Sequence, residues 1–370
     1  MNNILFLFSY IYLGELMRKL LLLILIFPFF VKAYATSAHS VVLMDTDSKR
    51  IIYSSNKDDI RSVASISKIM TAIVAIESNK LDDYVVVGEE IKAAYGSAIY
   101  INVDEKIKLR ELIYGLMLRS GNDAALAIAN YVGGSVENFV LLMNQKAKEI
   151  GMHNSTFNNP SGLDQEKGNY STAYDMALLM SYAMQNEEFK KIVGTKEIKI
   201  KTNMHNYIWK NKNKLLSTYK YTTGGKTGFT EKAKRTLVTT ASKNRVNLTA
   251  VTLVDGDDFN VHKSLYEEAF NQYNNYRILK KDNVKIIGEK YYRNCYFYLN
   301  EDFNYSLKKD ELNKIIIKFE LTRRENYKSG DEVGQVIVYL NDKKIYNNSV
   351  FVKVKPKRES FIRKLIDKLW

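Results

Sequence analysis

Two β-rich segments enclose a long helical segment, and this order limits the folds open to the chain more than any other feature. Apolar runs within 40–53 surround a short polar stretch, which predicts a β-hairpin. A second hairpin is predicted over 236–254, while apolar residues at 66–74, 107–150 and 174–182 recur at helical spacing. We therefore expect one sheet built from both ends of this region, with a helical insertion between its strands.

The C-terminal part of the chain has a different pattern. A further helix is predicted over 261–273, and from residue 283 onward short β-rich runs follow one another around turns. We expect a first, larger domain over 36–277 and a small, separate all-β domain over 278–355.

The last fifteen positions, 356–370, predict an amphipathic tail. One helical stripe carries the apolar residues Phe361, Ile362, Leu365, Ile366, Leu369 and Trp370, and the other face carries Arg363, Lys364, Asp367 and Lys368. We expect this tail to lie in a membrane interface, because apolar and basic faces together suit anionic lipid. The alternative is a helix that packs on the β domain.

The N-terminus predicts a signal peptide over 1–35. Arg18-Lys19 is a short positive region, 20–31 is an uncharged apolar run, and Ala33-Tyr34-Ala35 offers the small residues that a signal peptidase requires. An uncleaved membrane anchor is the alternative, but the apolar run is shorter than the roughly 20 residues of a membrane span. We expect cleavage after Ala35, and translation from Met17 would place the positive region at the start.

The composition indicates a globular protein with anionic partners. Hydrophobic residues make up 46% and charged residues 26% of the 370 positions, which excludes a disordered chain. The net charge of +14 favours acidic lipid headgroups, anionic wall polymers or nucleic acid. The lysines are scattered and no nucleic-acid-binding module is recognisable, so we exclude nucleic acid as a partner.

Cysteine and histidine provide neither a disulfide nor a metal site. Cys295 is the single cysteine, so no internal disulfide can form. The four histidines have no ligand spacing; they are His39, His153, His205 and His262. We expect no metal and no other cofactor. Lone carboxylates such as Asp123 and Asp175 are expected to be helix caps or structural partners.

Ser65-Ile66-Ser67-Lys68 begins a predicted helix and can form a reactive pair. Lys68 lies three residues after Ser65, one turn later on the same face. A serine hydroxyl is a weak nucleophile that needs an adjacent base. A lysine supplies this base where burial or a nearby cation lowers its pKa. The S-x-x-K spacing alone is common, so it does not identify a catalytic site.

Two further short motifs follow in the helical and β regions. Ser120-Gly121-Asn122 precedes a helix, and alone it would be interpreted as a helix cap. Lys226-Thr227-Gly228 begins a β-rich run, where the glycine would let the backbone approach a ligand closely. The order S-x-x-K, S-x-N, K-T-G in these contexts is typical of penicillin-binding proteins and class A β-lactamases.

The chain resembles low-molecular-weight penicillin-binding proteins of the D-alanyl-D-alanine carboxypeptidase family. The Ser-Gly-Asn form of the middle motif is typical of that family, and the similarity spans roughly 38–355. Matching stretches are 64–71, 118–125, 159–163, 171–177 and, in the β domain, 328–334.

The resemblance implies the α/β (α+β) fold of penicillin-binding proteins and β-lactamases. In that fold an antiparallel sheet has flanking helices and a helical subdomain, and here a small C-terminal all-β domain follows. The implied activity is removal of the terminal D-alanine from peptidoglycan pentapeptides through an acyl-enzyme on Ser65, with covalent inhibition by β-lactams such as penicillin. The implied location is the cell wall or the outer face of the cytoplasmic membrane.

The resemblance also implies a role for each motif residue. Ser65 would be the nucleophile, Lys68 its general base and Ser120 a proton relay to the leaving amine. Asn122 would hold the substrate amide, and Lys226 with Thr227 would bind the terminal carboxylate beside Gly228. The backbone N–H groups of Ser65 and Phe229 would form the oxyanion hole.

The chain departs from the family pattern at two places. Relatives often have Asn-Arg-Asn where this chain has Asn211-Lys212-Asn213, and the arginine helps to bind the carboxylate. Lysine cannot make the flat bidentate contact of arginine, so Lys212 is a weaker candidate for that role. Relatives also often have a glycine near Lys234.

Two other functions remain alternatives. A β-lactamase is disfavoured by the Ser-Gly-Asn form, by the extra β domain and by the lack of a recognisable Glu-x-x-Leu-Asn segment for deacylation. A non-catalytic wall-binding or penicillin-sensing protein would become acylated but would barely turn over.

Overall fold

The computed structural model describes residues 36–355 except 165–166, 283, 288 and 293. The expected signal peptide at 1–35 and the expected tail at 356–370 lie outside the described residues. None of the described helices is by itself long and apolar enough to cross a membrane. Two consecutive helices, 122–133 and 136–150, reach that length and composition only together and meet at 85°.

Helices and strands follow the order expected for the larger domain. The helices are α1 Lys68–Glu77, α2 Leu109–Tyr114, α3 Asn122–Gly133, α4 Val136–Ile150, α5 Ala173–Ala183, α6 Glu187–Gly194, α7 Leu215–Thr218 and α8 Asp258–Gln272. The strands of this part are β1 Ser40–Asp45, β2 Ile51–Ser55, β3 Arg61–Ser62, β4 Tyr84–Val86, β5 Lys106–Lys108, β6 Tyr170–Ser171, β7 Glu197–Lys201, β8 Asn206–Lys210, β9 Thr222–Thr230, β10 Lys234–Lys243 and β11 Val246–Leu253. Those that follow are β12 Tyr273–Leu279, β13 Cys295–Tyr298, β14 Phe303–Lys308, β15 Ile315–Leu321, β16 Glu332–Leu340 and β17 Lys343–Val354.

The central sheet is antiparallel, with the order β2-β1-β11-β10-β9. It confirms the expectation that both ends of the region supply strands around a helical insertion. The β10–β11 hairpin turns at Asn244 and Arg245, whose φ values are 51° and 63°. Two successive residues with positive φ are typical of the two-residue turns that match the twist of a hairpin.

Local sequence signals set where several helices begin and end. Side-chain oxygens of Ser135, Thr172 and Asn186 accept hydrogen bonds from the backbone N–H groups at the starts of α4, α5 and α6. These N-caps satisfy donors that have no partner within the helix. Gly151 ends α4 in the left-handed region at φ 88°, where glycine has no steric cost.

Helix α1 is the centre of the larger hydrophobic core. Every residue from Lys68 to Ile76 is buried, so the helix contacts apolar neighbours on all sides. Helix α8 packs on β10 and β11, where Thr239 and Thr252 bond the two ring nitrogens of His262 at 2.7 and 3.1 Å. Burial lowers the pKa of His262 to about 3, so this histidine is a neutral core residue.

The C-terminal β domain has a hydrophobic core of its own. Its sheet has the order β13-β17-β16-β15, and β12 pairs with β14 beside it. The boundary expected between residues 277 and 278 lies inside β12. At the junction, Arg50 pairs with Glu311 at 3.0 Å and lies over the rings of Tyr273 and Tyr305 at 5.2 and 5.7 Å.

Candidate active site

Ser65 lies in a single 3-10 turn, Ala64–Ser67, directly before α1. Side chains three residues apart eclipse one another in a 3-10 turn, so Ser65 and Lys68 share a face. Lys68 Nζ donates a hydrogen bond to Ser65 Oγ at 3.2 Å. Ala64 enters the turn at φ 49°, an uncommon left-handed conformation for a residue with a side chain. The local backbone is therefore held by its tertiary surroundings.

Lys68 is fully buried and hydrogen-bonded by three segments. Besides Ser65, it donates to Asn122 Oδ1 at 2.7 Å and to the carbonyl of Ser161. Burial, followed by the positive charge of Lys212, lowers the pKa of Lys68 to about 7. A substantial fraction of this amine is thus neutral at neutral pH and can accept a proton from the serine beside it.

Ser120 and Asn122 lie where the chain passes from a π-helical turn, Gly115–Arg119, into α3. Ser120 has φ 65°, and its Oγ accepts a hydrogen bond from Lys226 Nζ at 3.1 Å. Asn122 makes no cap, because its Oδ1 accepts from Lys68 and its Nδ2 donates to the Tyr95 carbonyl at 2.6 Å. The interpretation of this tripeptide as a helix cap is therefore wrong.

Asp123 and Asp175 have the structural character that was expected. The Asp123 carboxylate accepts from the backbone N–H groups of Ile99 and Tyr100 at 3.0 and 2.7 Å. This contact fixes the loop that precedes β5, next to the serine-asparagine turn. Asp175 accepts from the N–H of Asn154 at 2.8 Å and therefore also braces a loop.

Strand β9 ends the central sheet and carries the K-T-G motif. Lys226 is buried and also donates to the Thr227 carbonyl at 2.7 Å. Burial and the neighbouring Lys68 charge lower the pKa of Lys226. At Gly228 an added Cβ would lie 2.4 Å from Thr236 Oγ1 and 3.0 Å from the Ser65 nitrogen, so only glycine permits this approach. Phe229 follows and is 58% exposed.

The three motifs meet at one cleft with a cavity of about 440 Å³. Its lining residues are Ser65, Ser97, Ser120, Lys212, Lys214, Thr227, Gly228, Phe229, Arg235, Gly256, Asp257, Asp258 and Phe259. Lys212 donates to Ser97 Oγ at 3.1 Å and is half-buried, and its pKa is lowered by that burial and by Arg119. The structure therefore brings together all the site residues proposed from the sequence around a positively charged cleft.

A turn whose role the sequence did not reveal supplies the carbonyl that binds Lys68. Asn159 Oδ1 accepts from the N–H groups of Ser161 and Gly162 at 3.1 and 2.7 Å. Gly162 has φ 76°, and an added Cβ would lie 2.1 Å from the Ala64 carbonyl oxygen. The signal was the stretch 159–163, which matched the family pattern without an assigned role.

Lys234 and several residues of the cleft lie outside the three sequence motifs. Lys234 has φ 55°, so this departure places a lysine in the conformation that glycine adopts most readily. Ser97, Arg235 and Asp258 also line the cleft, and no sequence motif marks them. Within the described part of the chain, no group of three or more His, Cys, Asp or Glu residues could hold a metal ion.

Comparisons with known proteins agree with this arrangement. A family model described as D-alanyl-D-alanine carboxypeptidase matches residues 28–257, and one described as penicillin-binding protein 5, C-terminal domain, matches 273–358. D-alanyl-D-alanine carboxypeptidase DacF of Bacillus subtilis is 31% identical, over 89% of this chain and 88% of its own. DacC of Escherichia coli is 30% identical, over 91% and 88%. The crystal structure of penicillin binding protein 5 from Haemophilus influenzae has a TM-score of 0.72 at 25% identity, covering 87% of this chain and 98% of that one.

Replacing Lys212 by glutamine should raise the pKa of Lys68 above about 7, because it removes the positive charge that, after burial, contributes most to lowering that pKa. Side-chain NMR of isotope-labelled lysine measures this titration, with the Lys68 signal assigned by its loss in Lys68→Met. Lys214→Gln is the matched control, since Lys214 lines the same cleft. An unchanged Lys68 titration in Lys212→Gln would contradict the electrostatic coupling.

Proposed function

The chain belongs to the D-alanyl-D-alanine carboxypeptidase family of serine-type, low-molecular-weight penicillin-binding proteins, and we propose how its cleft carries out that reaction. The protein is a serine carboxypeptidase that removes the terminal D-alanine from peptidoglycan stem peptides. The observation that carries the mechanism is the 3.2 Å contact between Ser65 Oγ and a buried lysine whose pKa is about 7.

Acylation begins with proton transfer from Ser65 to the neutral amine of Lys68. The serine oxygen attacks the carbonyl carbon between the last two D-alanines and forms a tetrahedral oxyanion. The backbone N–H groups of Ser65 and Phe229 stabilise this charge in the cleft beside Gly228, where strand and turn approach closely. The fit depends on the absence of a side chain at Gly228.

Collapse of the intermediate requires a proton on the departing amine. Ser120 donates its hydroxyl proton to that amine and receives in exchange the proton that Lys68 took from Ser65, which leaves Lys68 neutral again. The ammonium of Lys226, which donates to Ser120 Oγ, stabilises the serine oxygen during this exchange. The C–N bond breaks, free D-alanine leaves, and Ser65 retains the remaining peptide as an ester. Water then hydrolyses the ester and restores the serine, with Lys68 again acting as the base.

Substrate orientation comes from the edge of β9. Thr227, which lines the cleft, binds the terminal carboxylate together with Lys226, and Asn122 holds the substrate amide. A penicillin presents a carboxylate and a strained amide in a similar relation, so it acylates the same serine.

Ser65→Ala should abolish both covalent labelling by fluorescent penicillin and release of D-alanine from a diacetyl-Lys-D-Ala-D-Ala peptide, because the bond-forming oxygen is gone. Gel fluorescence and an enzymatic D-alanine assay measure the two. Ser78→Ala, at the far end of α1, is the control and should leave both unchanged.

Three results would contradict the proposed nucleophile or the proposed reaction. Labelling that persists in Ser65→Ala would exclude Ser65 as the nucleophile. Labelling of the unmodified protein without D-alanine release would favour a penicillin-sensing protein. Rapid nitrocefin turnover would favour a β-lactamase.

We also propose that 1–35 is a signal peptide that directs the enzyme to the outside of the cytoplasmic membrane, where its polymeric substrate lies. The positive region, the apolar run and Ala33-Tyr34-Ala35 support this proposal. Expression of the full chain in a bacterial host, followed by N-terminal sequencing of the exported product, should give a chain beginning at Thr36. An exported protein that keeps 20–31 would indicate an uncleaved anchor instead.

The tail at 356–370 is proposed to hold the enzyme at the membrane surface through its apolar stripe and basic face. Deletion of these residues should reduce flotation with anionic liposomes, since each basic residue near such lipid contributes about 1 kcal/mol. D-alanine release from a soluble peptide should not change. Equal flotation of both proteins would favour a helix packed on the β domain.

A further inference from the structure

Arg235 is a cation of the cleft to which no motif assigns a role. It lies on β10 in register with Phe229 of β9, and it lines the same cavity as Ser65 and Thr227. Its side chain is 43% exposed, although the partner that holds it is buried. The group is therefore accessible from the cleft while one side of it is anchored.

Two neighbours hold the guanidinium in place. Its Nη2 donates to Asp258 Oδ1 at 2.5 Å, and its central carbon lies 5.5 Å from the centre of the Phe259 ring. The Asp258 side chain is only 3% exposed, so its carboxylate depends on this pairing. A planar cation fixed in this way loses little conformational entropy when a ligand binds.

The guanidinium retains donors for such a ligand. Among the hydrogen bonds of the described residues, Arg235 uses Nη2 alone, and a guanidinium has five N–H groups. Its remaining donors match the two oxygens of a carboxylate in geometry and number.

Lys212, the other candidate for this task, is less well suited to it. Its ammonium already donates to Ser97 Oγ at 3.1 Å, and it is a point charge without a planar fork. Its positive charge also lies close enough to Lys68 to lower the pKa of that amine. Of the two cations, Arg235 therefore has the free donors and the geometry that suit a carboxylate.

We propose that Arg235, oriented by Asp258 and Phe259, binds the terminal carboxylate of the substrate beside Thr227 and so restricts the cleft to peptides with a free C-terminus. This inference rests on the proposed function of the cleft. It assigns a specificity-determining residue that explains how the chain selects a carboxypeptidase substrate although lysine replaces arginine at position 212.

The test compares one peptide in two forms, ending in D-Ala-D-Ala carboxylate or in the corresponding amide. The unmodified enzyme should favour the carboxylate. Arg235→Leu should lose about tenfold or more of kcat/KM on the carboxylate, mainly through KM, because a hydrogen bond to a charged group is lost. Its kcat/KM on the amide should not change, and Arg235→Lys should recover part of the preference.

Arg277→Leu is the matched control, since Arg277 also pairs with an aspartate, Asp302, but lies on β12 outside the cleft. It should keep the full preference for the carboxylate. An equal loss of kcat/KM on both substrates in Arg235→Leu would show a merely structural role. An unchanged kcat/KM on the carboxylate would show no role at all, and either result would overturn the proposal.

A second readout does not depend on turnover. Benzylpenicillin and its methyl ester compete with fluorescent penicillin for Ser65, and Arg235→Leu should weaken competition by the acid but not by the ester. If the unmodified protein releases no D-alanine, the proposed function fails, yet this competition still decides the role of Arg235. The proposal would be overturned if the acid and the ester competed with the same relative strength for Arg235→Leu as for the unmodified protein.

Discussion

The burial of Lys68 is the constraint on which the rest of the active site depends. An ammonium group removed from water loses its hydration, and here the pKa falls from the ordinary 10.5 to about 7. Between these pH values the unfolded chain binds more protons than the folded one, so the stability contributed by this group rises with pH and is unfavourable at neutral pH. The same shift makes the amine a base at neutral pH. The remaining core must offset that cost, and α1 is buried along nearly its whole length.

The polar groups around the lysine come from distant segments and can satisfy it only if all of them are in place. Asn122 arrives from the start of α3, and the Ser161 carbonyl arrives from a turn that requires Gly162. Lys226 repeats the arrangement on β9, where it is buried and bonded to Ser120. Two of the close approaches in the site, at Gly162 and Gly228, use positions with no room for a side chain. Reactivity and fold are therefore linked through the same contacts.

The central sheet, the helical insertion and the residues of the three motifs could be predicted from the sequence, because each depends on local periodicity or on a short ordered pattern. The 3-10 turn at Ser65 and the left-handed Ser120 could not, since tertiary packing imposes these backbone conformations. Asn122 shows the limit clearly, because its local context favours a helix cap. Its side-chain oxygen instead accepts a hydrogen bond from the buried Lys68, which is 54 positions away in sequence. The pair of Arg235 and Asp258 likewise joins a strand to a later helix and has no sequence pattern.

The junction between the two domains also depends on buried charges that need specific partners. Arg50 and Glu311 are 17% and 11% exposed, and two tyrosine rings cover the guanidinium. A buried ion pair adds little net stability compared with apolar packing, but breaking it leaves a charge without a partner. The pair therefore favours one relative orientation of the two domains, because only that orientation satisfies both charges.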